Sequence, residues 1–497
     1  MAFRDLRGWI SKLEQEGELK RVTSLVDWDK EIGAVTRKTF DIGGPALLFE
    51  NIKDYQKGRC TRLFTGGLGA YSRVAYMLGL PKDTPMKEMV RATRERFASP
   101  IKPIEVSSGP VKENIVKGKD INMLDFPVPQ WHRWDGGRYC DTTCGVVTRN
   151  PDTGIVNVGT YRGMVAAKDK IAKLMLATAH WAVNYNLYKA RGEAMPVAII
   201  YGWDPALNFI ACTPVSPYIC EYDVMGGIRQ APVELVKCET SDLLVPASAE
   251  IVVEGTISPN PDDFMMEGPF GEYPGYFAGV KSPKPTVAIK CITHRNDPIF
   301  RGSLEGFGPG HPNESKVMSH IACASIAYNI VKESGVPGVL DLTIMPASCF
   351  TNAVIQIKKQ YVGHAKQVAM ALWGSNLPSW LIKNVVVVEE DIDIYDLEAI
   401  EWAIAYRVNP GSNDIVIIPG TPGNPLDPSV PAKERDVKKL GTGKWNRMII
   451  DATKDWEFDP QEQYGGDRYP PVCFILPPEE EQLVLSRWKE YGIEPVK

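Results

Sequence analysis

Between residues 138 and 300 the chain is written in short β-type runs: GVVTRN, VNVGTYRG, MPVAIIYG, AEIVVEGTIS and TVAIKCITHR. Runs rich in Val, Ile and Thr and bounded by turn residues read as strands. A lone strand cannot bury its faces, so this many in one stretch demand a sheet of their own. The pattern predicts a β-rich central domain of barrel type. One long helical segment, from about Asp169 to Arg191, interrupts it.

The flanks read differently. Phe3, Leu6, Ile10 and Leu13 recur at helical spacing, and Gly17 stands where a C-terminal cap belongs. From about 30 to 115, short strands such as PALLFENI mix with helical stretches such as KEMVRATRERF. The run INMLDFPVPQWHRWDGG (121–137) reads as an ordered connecting loop at a domain border. Beyond the glycine-rich GSLEGFGPGHPNE, a helix is expected from Ser315 to Glu333. VLDLTIMP, a helix near 362–373, NVVVVEEDID, a helix near 396–405 and NDIVIIPG then alternate, which predicts an α/β domain on a largely parallel sheet. A last helix (479–491) follows Pro477-Pro478 and opens with three glutamates, where the helix dipole favours them. It carries Val484, Trp488 and Tyr491 on one face, for docking on its own domain or on another subunit.

Charge and composition narrow the partners. With 61 acidic and 56 basic residues, the net charge is -5, and no Lys/Arg cluster tracks a phosphate backbone. Nucleic acid is therefore not expected. No stretch of ~18 apolar residues occurs, and charges interrupt the N-terminus every few residues, so neither membrane span nor signal peptide is read. The ten cysteines include one close pair, Cys140 and Cys144, with no second pair to complete a zinc site. Reduced thiols in a cytoplasmic protein are expected.

Four segments carry candidate chemistry. In EGPFGEYPGY (267–276), Glu267 and Glu272 flank a Gly-Pro-Phe-Gly turn that fixes two carboxylates at one separation beside an aromatic wall. Such a pair can divide roles, one ionised and one holding a proton. A solvated surface turn has the same local sequence. In VNVGTYRG, Asn157 offers an amide and Arg162 a fork for carboxylate or phosphate. Strand alternation sends Asn157, Gly159 and Tyr161 one way, and Thr160 and Arg162 the other. A mid-sheet strand with one snorkelling arginine fits as well. His180, read as late in an apolar helix, and Glu221, in a loop-like stretch, signal nothing singly. Asn157, His180 and Glu221 together make an O/N/O set suited to Mn2+ or Mg2+ at a phosphate, but their irregular spacing does not establish a site. There is no Walker loop, G-x-S-x-G elbow or H-E-x-x-H, and GFGPG and GGLG lack dinucleotide-loop spacing.

Taken in order, NVGTYRG, VELVKCETSDLLVPASAEIVVEGTI, EGPFGEYPGYF, VVVVEEDIDIYD and IIPGTPGNPLDPS resemble the UbiD-like family of reversible decarboxylases. The resemblance covers almost the whole chain. It implies an N-terminal α/β region (1–115), a split-barrel flavin domain (116–312), a linking helix (313–334) and a C-terminal α/β oligomerisation domain (335–497) with a terminal helix. It implies prenylated FMN supplied by a separate flavin prenyltransferase, with Mn2+ (or Mg2+) and K+ at its phosphate. By position, Asn157, His180 and Glu221 match the metal ligands, and Arg162, Glu267 and Glu272 the catalytic network. Thr160, Tyr161 and Arg162, with Thr213 and Pro214 of the 211–214 segment, are expected to line the flavin. A homo-oligomer, dimer or hexamer, is implied. Some members place a lysine near the flavin where this chain has Leu377; Lys383 is out of register, so no lysine is assigned.

The resemblance also implies an activity: reversible loss of CO2 from an aromatic or unsaturated acid through a covalent adduct with the cofactor. Glu272 is expected to deliver the replacing proton, its pKa raised by burial, while Arg162 holds Glu267. The pocket ceiling is expected near Tyr273, Ser319, His320, Asn424 and Leu426. This polar lining favours a hydroxybenzoate-like or heteroaromatic acid over a cinnamate-like one. A flavin oxidoreductase, or a non-catalytic assembly protein on the same fold, would not need the Arg-Glu-Glu set.

Overall fold

A computed structural model describes residues 2–375, 377 and 380–493, the side chain of Lys438 excepted. The first helix, Leu6–Gln15, buries Leu6, Trp9, Ile10 and Leu13, and Asp5 caps it by accepting from the Gly8 N–H. It packs beside a four-stranded sheet ordered Leu19–Val22, Ala46–Phe49, Arg62–Thr65 and Ile299–Arg301. The last of these strands comes from far along the chain and lies parallel to Arg62–Thr65. The N-terminal region therefore borrows a strand from beyond the expected 115/116 division, and Asn114–Lys117 in turn joins the central sheet.

The central sheet has nine strands, and its neighbours all pair antiparallel. Its path runs from Tyr139–Asp141 through Gly163–Ala167, Lys170–Lys173, Thr286–His294, Ile251–Ile257, Met195–Tyr201 and Gly145–Arg149 to Val156–Gly159. The last strand on this path is joined by only three residues, Thr160, Tyr161 and Arg162, to Gly163–Ala167 near the opposite end. Four peptide steps reach at most about 15 Å. The sheet must therefore curl until its two ends approach, which makes a split barrel with Thr160–Arg162 across the split.

Two expectations change here. The helix expected from Asp169 begins only at His180; Lys170–Lys173 is a strand between two others. Its buried Lys173 is satisfied by Asp141 (2.5 Å) and the Tyr161 carbonyl (2.6 Å), partners that periodicity does not reveal. His180 thus opens its helix rather than closing it. Tyr161 does fold back onto the Asn157 side, its hydroxyl donating to Asn157 Oδ1 at 3.0 Å. A Cβ on Gly159 would fall 2.5 Å from that hydroxyl, so only glycine fits under the ring.

The linking helix, Glu314–Glu333, is buried on nearly every side and starts from Asn313, whose side chain caps Lys316 N–H. It leads into a five-stranded sheet ordered Val339–Ile344, Asn352–Ile357, Asn384–Glu389, Gly443–Asp451 and Ile415–Gly423. The two inner pairings are parallel and the two outer ones antiparallel, so the expected largely parallel sheet is mixed. One apolar core runs through all three parts, from Leu6 and Trp9 through Ile200 and Ile321 to Ile449. The terminal helix spans Pro478–Ser486, shorter than the expected 479–491, and Trp488 and Tyr491 lie in the turns after it. All ten cysteines are free thiols. Among the described residues no helix is long and apolar enough to cross a membrane.

Candidate functional site

A cavity of about 250 Å³ opens at the split of the barrel, closed above by the linking helix and the C-terminal domain. Asn157 through Arg162 form one wall, Ala211–Pro214 and Thr178–His180 a second. Glu272, Tyr273, Glu305, Ser315 and Ser319 face them, with Phe350, Trp380, Asn424 and Leu426 from the C-terminal domain.

At one end stands an ion-pair network. Arg162 Nε and Nη2 donate to the two oxygens of Glu267 at 2.9 and 3.1 Å, and Nη1 donates to Glu272 Oε1. All three side chains are buried. Burial works against the arginine's charge, but Glu272 and Glu267 more than offset this and hold its pKa above the usual range. The expectation that Arg162 holds Glu267 is met, yet it holds Glu272 as well. Tyr139, which sequence reasoning missed, donates to Glu267 Oε1 at 2.8 Å and packs on Phe270.

The carboxylates are presented by a braced turn. Glu267 ends the strand Met265–Glu267, and Glu272 follows the short strand Phe270–Gly271. Asp135 accepts from Gly271 N–H at 2.9 Å, and Gly136 N–H donates to the Pro269 carbonyl at 2.7 Å. A Cβ on Gly136 would lie 2.1 Å from the Gly268 carbonyl, so the 131–137 loop reaches the turn only as glycine. The solvated surface turn that the local sequence also allowed is ruled out.

At the other end Asn157, His180 and Glu221 line the same cavity. His180 and Glu221 are each the first residue of a helix, His180–Ala190 and Glu221–Arg229, and neither helix has a side-chain N-cap bond. Glu221 accepts from Asn157 Nδ2 and from Val158 N–H, both at 2.8 Å, and among the described residues it forms no ion pair. Burial pushes its pKa up to about 7. Burial lowers that of His180, which leaves a neutral ring with a lone pair to offer. Below this end Tyr161 stacks on Trp181 with ring centroids 4.5 Å apart.

The expected ceiling is only partly present. Tyr273, Ser319, Asn424 and Leu426 line the cavity. His320 does not; it lines a separate cavity and bonds the Tyr71 hydroxyl at 2.8 Å. Neighbours on a helix point about 100° apart, so Ser319 and His320 cannot share a wall. The Asn424 amide donates to the Tyr273 hydroxyl, and its carbonyl oxygen accepts from the Leu426 N–H. Leu377 is buried and outside the cavity lining, and Lys383 pairs with Asp427 at 3.0 Å. Sequence reasoning also missed Glu305, Ser315 and Asp141 in the lining. Asp141 sits inside CDTTC and Glu305 in a glycine-rich loop, where only the acid itself was a signal.

Residues 10–93, 102–307 and 317–452 match in turn the N-terminal, Rift-related and C-terminal domains of 3-octaprenyl-4-hydroxybenzoate carboxy-lyase, UbiD. An uncharacterised protein of Aquifex aeolicus (strain VF5) is 34% identical, with 99% of both chains covered. Vanillic acid decarboxylase of Sedimentibacter hydroxybenzoicus in its closed form superposes with a TM-score of 0.88 at 33% identity, over 99% of this chain and all of that one. Its open form gives 0.80 at 33% identity. The UbiD-class enzyme HmfF of Pelotomaculum thermopropionicum in complex with FMN gives 0.78 at 32% identity, over 97% of this chain and all of that one. Matched along nearly its whole length, with the expected split barrel between α/β regions, the chain belongs to the UbiD family of carboxy-lyases.

Proposed function

We propose that this chain decarboxylates an aromatic or heteroaromatic, ring-oxygenated carboxylic acid with prenylated FMN as cofactor. The carrying observation is the Arg162 fork joined to Glu267 and Glu272 at the wall of a cavity that also holds Asn157, His180 and Glu221. Two helix N-termini without side-chain caps open there, an arrangement that favours an anion. Glu221 is a buried carboxyl with neutral partners only, and His180 a neutral imidazole. Asn157, His180 and Glu221 would hold Mn2+ or Mg2+, with K+ nearby, and Thr160, Tyr161, Thr213 and Pro214 would line the flavin.

Loss of CO2 from an sp2 carbon leaves an electron pair with nowhere to go. When bound, a prenylated flavin supplies the electron sink. The chain supplies position and the proton. Arg162, fixed by Glu267 and Tyr139, keeps Glu272 at the cavity wall. Glu272 gives a proton through its carboxyl oxygen to the carbon that lost CO2, and regains one from solvent. Glu267 stays in the arginine fork. Phe350, Trp380 and Leu426 give the cavity an apolar wall that would exclude water.

The test is a substrate panel on protein co-expressed with a flavin prenyltransferase, with the bound cofactor read by absorbance and mass. Hydroxybenzoate-like or heteroaromatic acids are expected to turn over; exclusive activity on cinnamate refutes the substrate class, and unmodified FMN in an active enzyme refutes the cofactor. The terminal segment exposes Phe474, Ile475, Leu476, Leu483 and Leu485, which supports a homo-oligomer, dimer or hexamer.

A further inference from the structure

Five buried glutamates stand around the cavity and the foot of the linking helix; three have an arginine, and Glu221, at the Asn157 and His180 end, is held by Asn157 and the Val158 N–H. Glu267 and Glu272 share Arg162. Glu314, one residue past the helix cap, pairs with Arg301 at 2.5 Å and accepts from Gly66 and Leu68 N–H groups. Glu305 differs. It lines the cavity, and its bonds are to the Ser315 hydroxyl, 2.9 Å from both of its oxygens, and to Asn313 Nδ2 at 3.4 Å. Arg37, whose charge reaches Glu305, donates instead to the His311 and Pro312 carbonyls.

We propose that Glu305 is a specificity residue of this chain, whose carboxyl group hydrogen-bonds an oxygen substituent on the ring of the bound acid. The inference rests on the decarboxylase reading above and deepens it. A carboxyl buried beside neutral partners is held uncharged, because ionising it there costs more than in water. Burial pushes Glu305 up to about 8; Ser315 and Arg37 oppose this, and Glu272 and Glu314 add to it. An uncharged carboxyl both donates and accepts, as a phenolic hydroxyl does. It also adds no second negative charge to a site that must admit a carboxylate. Glu305, Ser315 and Ser319 line the cavity together with Tyr273 and Asn424, whose amide donates to the Tyr273 hydroxyl. Of the acids lining the cavity, Glu272 is engaged by Arg162, Glu221 by Asn157 and the Val158 N–H, and Asp141 by Lys173 and Tyr201, which leaves Glu305 to meet a substituent on the substrate's ring.

The test compares flavin-loaded wild type, Glu305→Gln and Glu305→Leu on matched pairs: benzoate with 4-hydroxybenzoate, and cinnamate with 4-hydroxycinnamate. Both kcat/KM and calorimetric binding of each acid are measured. Glu305→Leu is expected to lower the preference for the hydroxylated member by about 10- to 100-fold, since an unmet buried polar group is what discriminates. Glu305→Gln, which still donates and accepts, is expected to keep most of it. Equal losses on both members of a pair, or an unchanged preference, overturn the inference while leaving the proposed function standing. A wild type that neither binds nor turns over any hydroxylated acid better than its plain partner overturns the substrate reading and this inference together. Should Glu305→Leu not fold, Glu305→Met, similar in length, carries the same comparison.

Discussion

Arg162 and Glu267 meet through two parallel N–H···O bonds of 2.9 and 3.1 Å, and the glutamate is wholly buried. The pair fixes the guanidinium plane, so the remaining nitrogen, Nη1, can point only at Glu272. A fork of this kind specifies direction as well as charge.

Arg162→Ala is therefore expected to cost stability as well as activity. It leaves two buried carboxylates without their cation, a loss of about 3–5 kcal/mol. Denaturant unfolding of cofactor-free protein measures it, and a loss below about 1 kcal/mol would contradict the network as drawn. Arg162→Lys keeps the charge but not the fork, and should recover less than half of the loss.

Glu272→Gln removes the proton donor and keeps the shape. Turnover should fall by at least about 100-fold, the usual contribution of a positioned acid. Bound flavin, read by absorbance, should be unchanged. Full turnover with full exchange of the product C–H in D2O would rule Glu272 out.

Glu221→Gln should weaken metal-dependent retention of the flavin. Dialysis of loaded protein against a chelator, followed by metal content and flavin absorbance, should show losses about 10-fold or more beyond wild type. Retention equal to wild type would place the phosphate site elsewhere.

Glu305 also predicts a pH dependence of stability. Its folded pKa is about 8, above that of an unfolded glutamate, so between the two values the folded state holds a proton that the unfolded state has lost. Stability from this group thus falls as pH rises from about 4.5 to about 8. Glu305→Gln, which cannot ionise, should raise the melting temperature over wild type more at pH 8 than at pH 5. The same gap at both values would mean that Glu305 is ionised in the folded protein.

Much of the site was legible in the residues, but not its arrangement. VNVGTYRG and EGPFGEYPGY stood out because glycines, a proline and charged groups crowd into short spans, and the fold brings both segments to one cavity. His320 was misplaced because the linking helix is buried nearly all round, and such a helix has no polar stripe to say which residue faces a cavity. Lys170–Lys173 was read as helix because its strand character depends on neighbours at Gly163–Ala167 and Thr286–His294. Glu305 gave no sign, since a carboxyl between a leucine and a glycine in a loop looks the same whether solvated or buried.

The sequence by itself determined most strands and helices, the residue types of the two ends of the site, and the family. Those follow from short-range periodicity and from the order of local motifs. Tertiary structure alone decided that Thr160–Arg162 bridges the split of a curled sheet, and which of the buried glutamates has a guanidinium. Arg162 lies 105 and 110 positions from the two acids it binds. The charge state of a buried carboxyl depends on what the fold brings within a few ångströms, and no local pattern contains that distance.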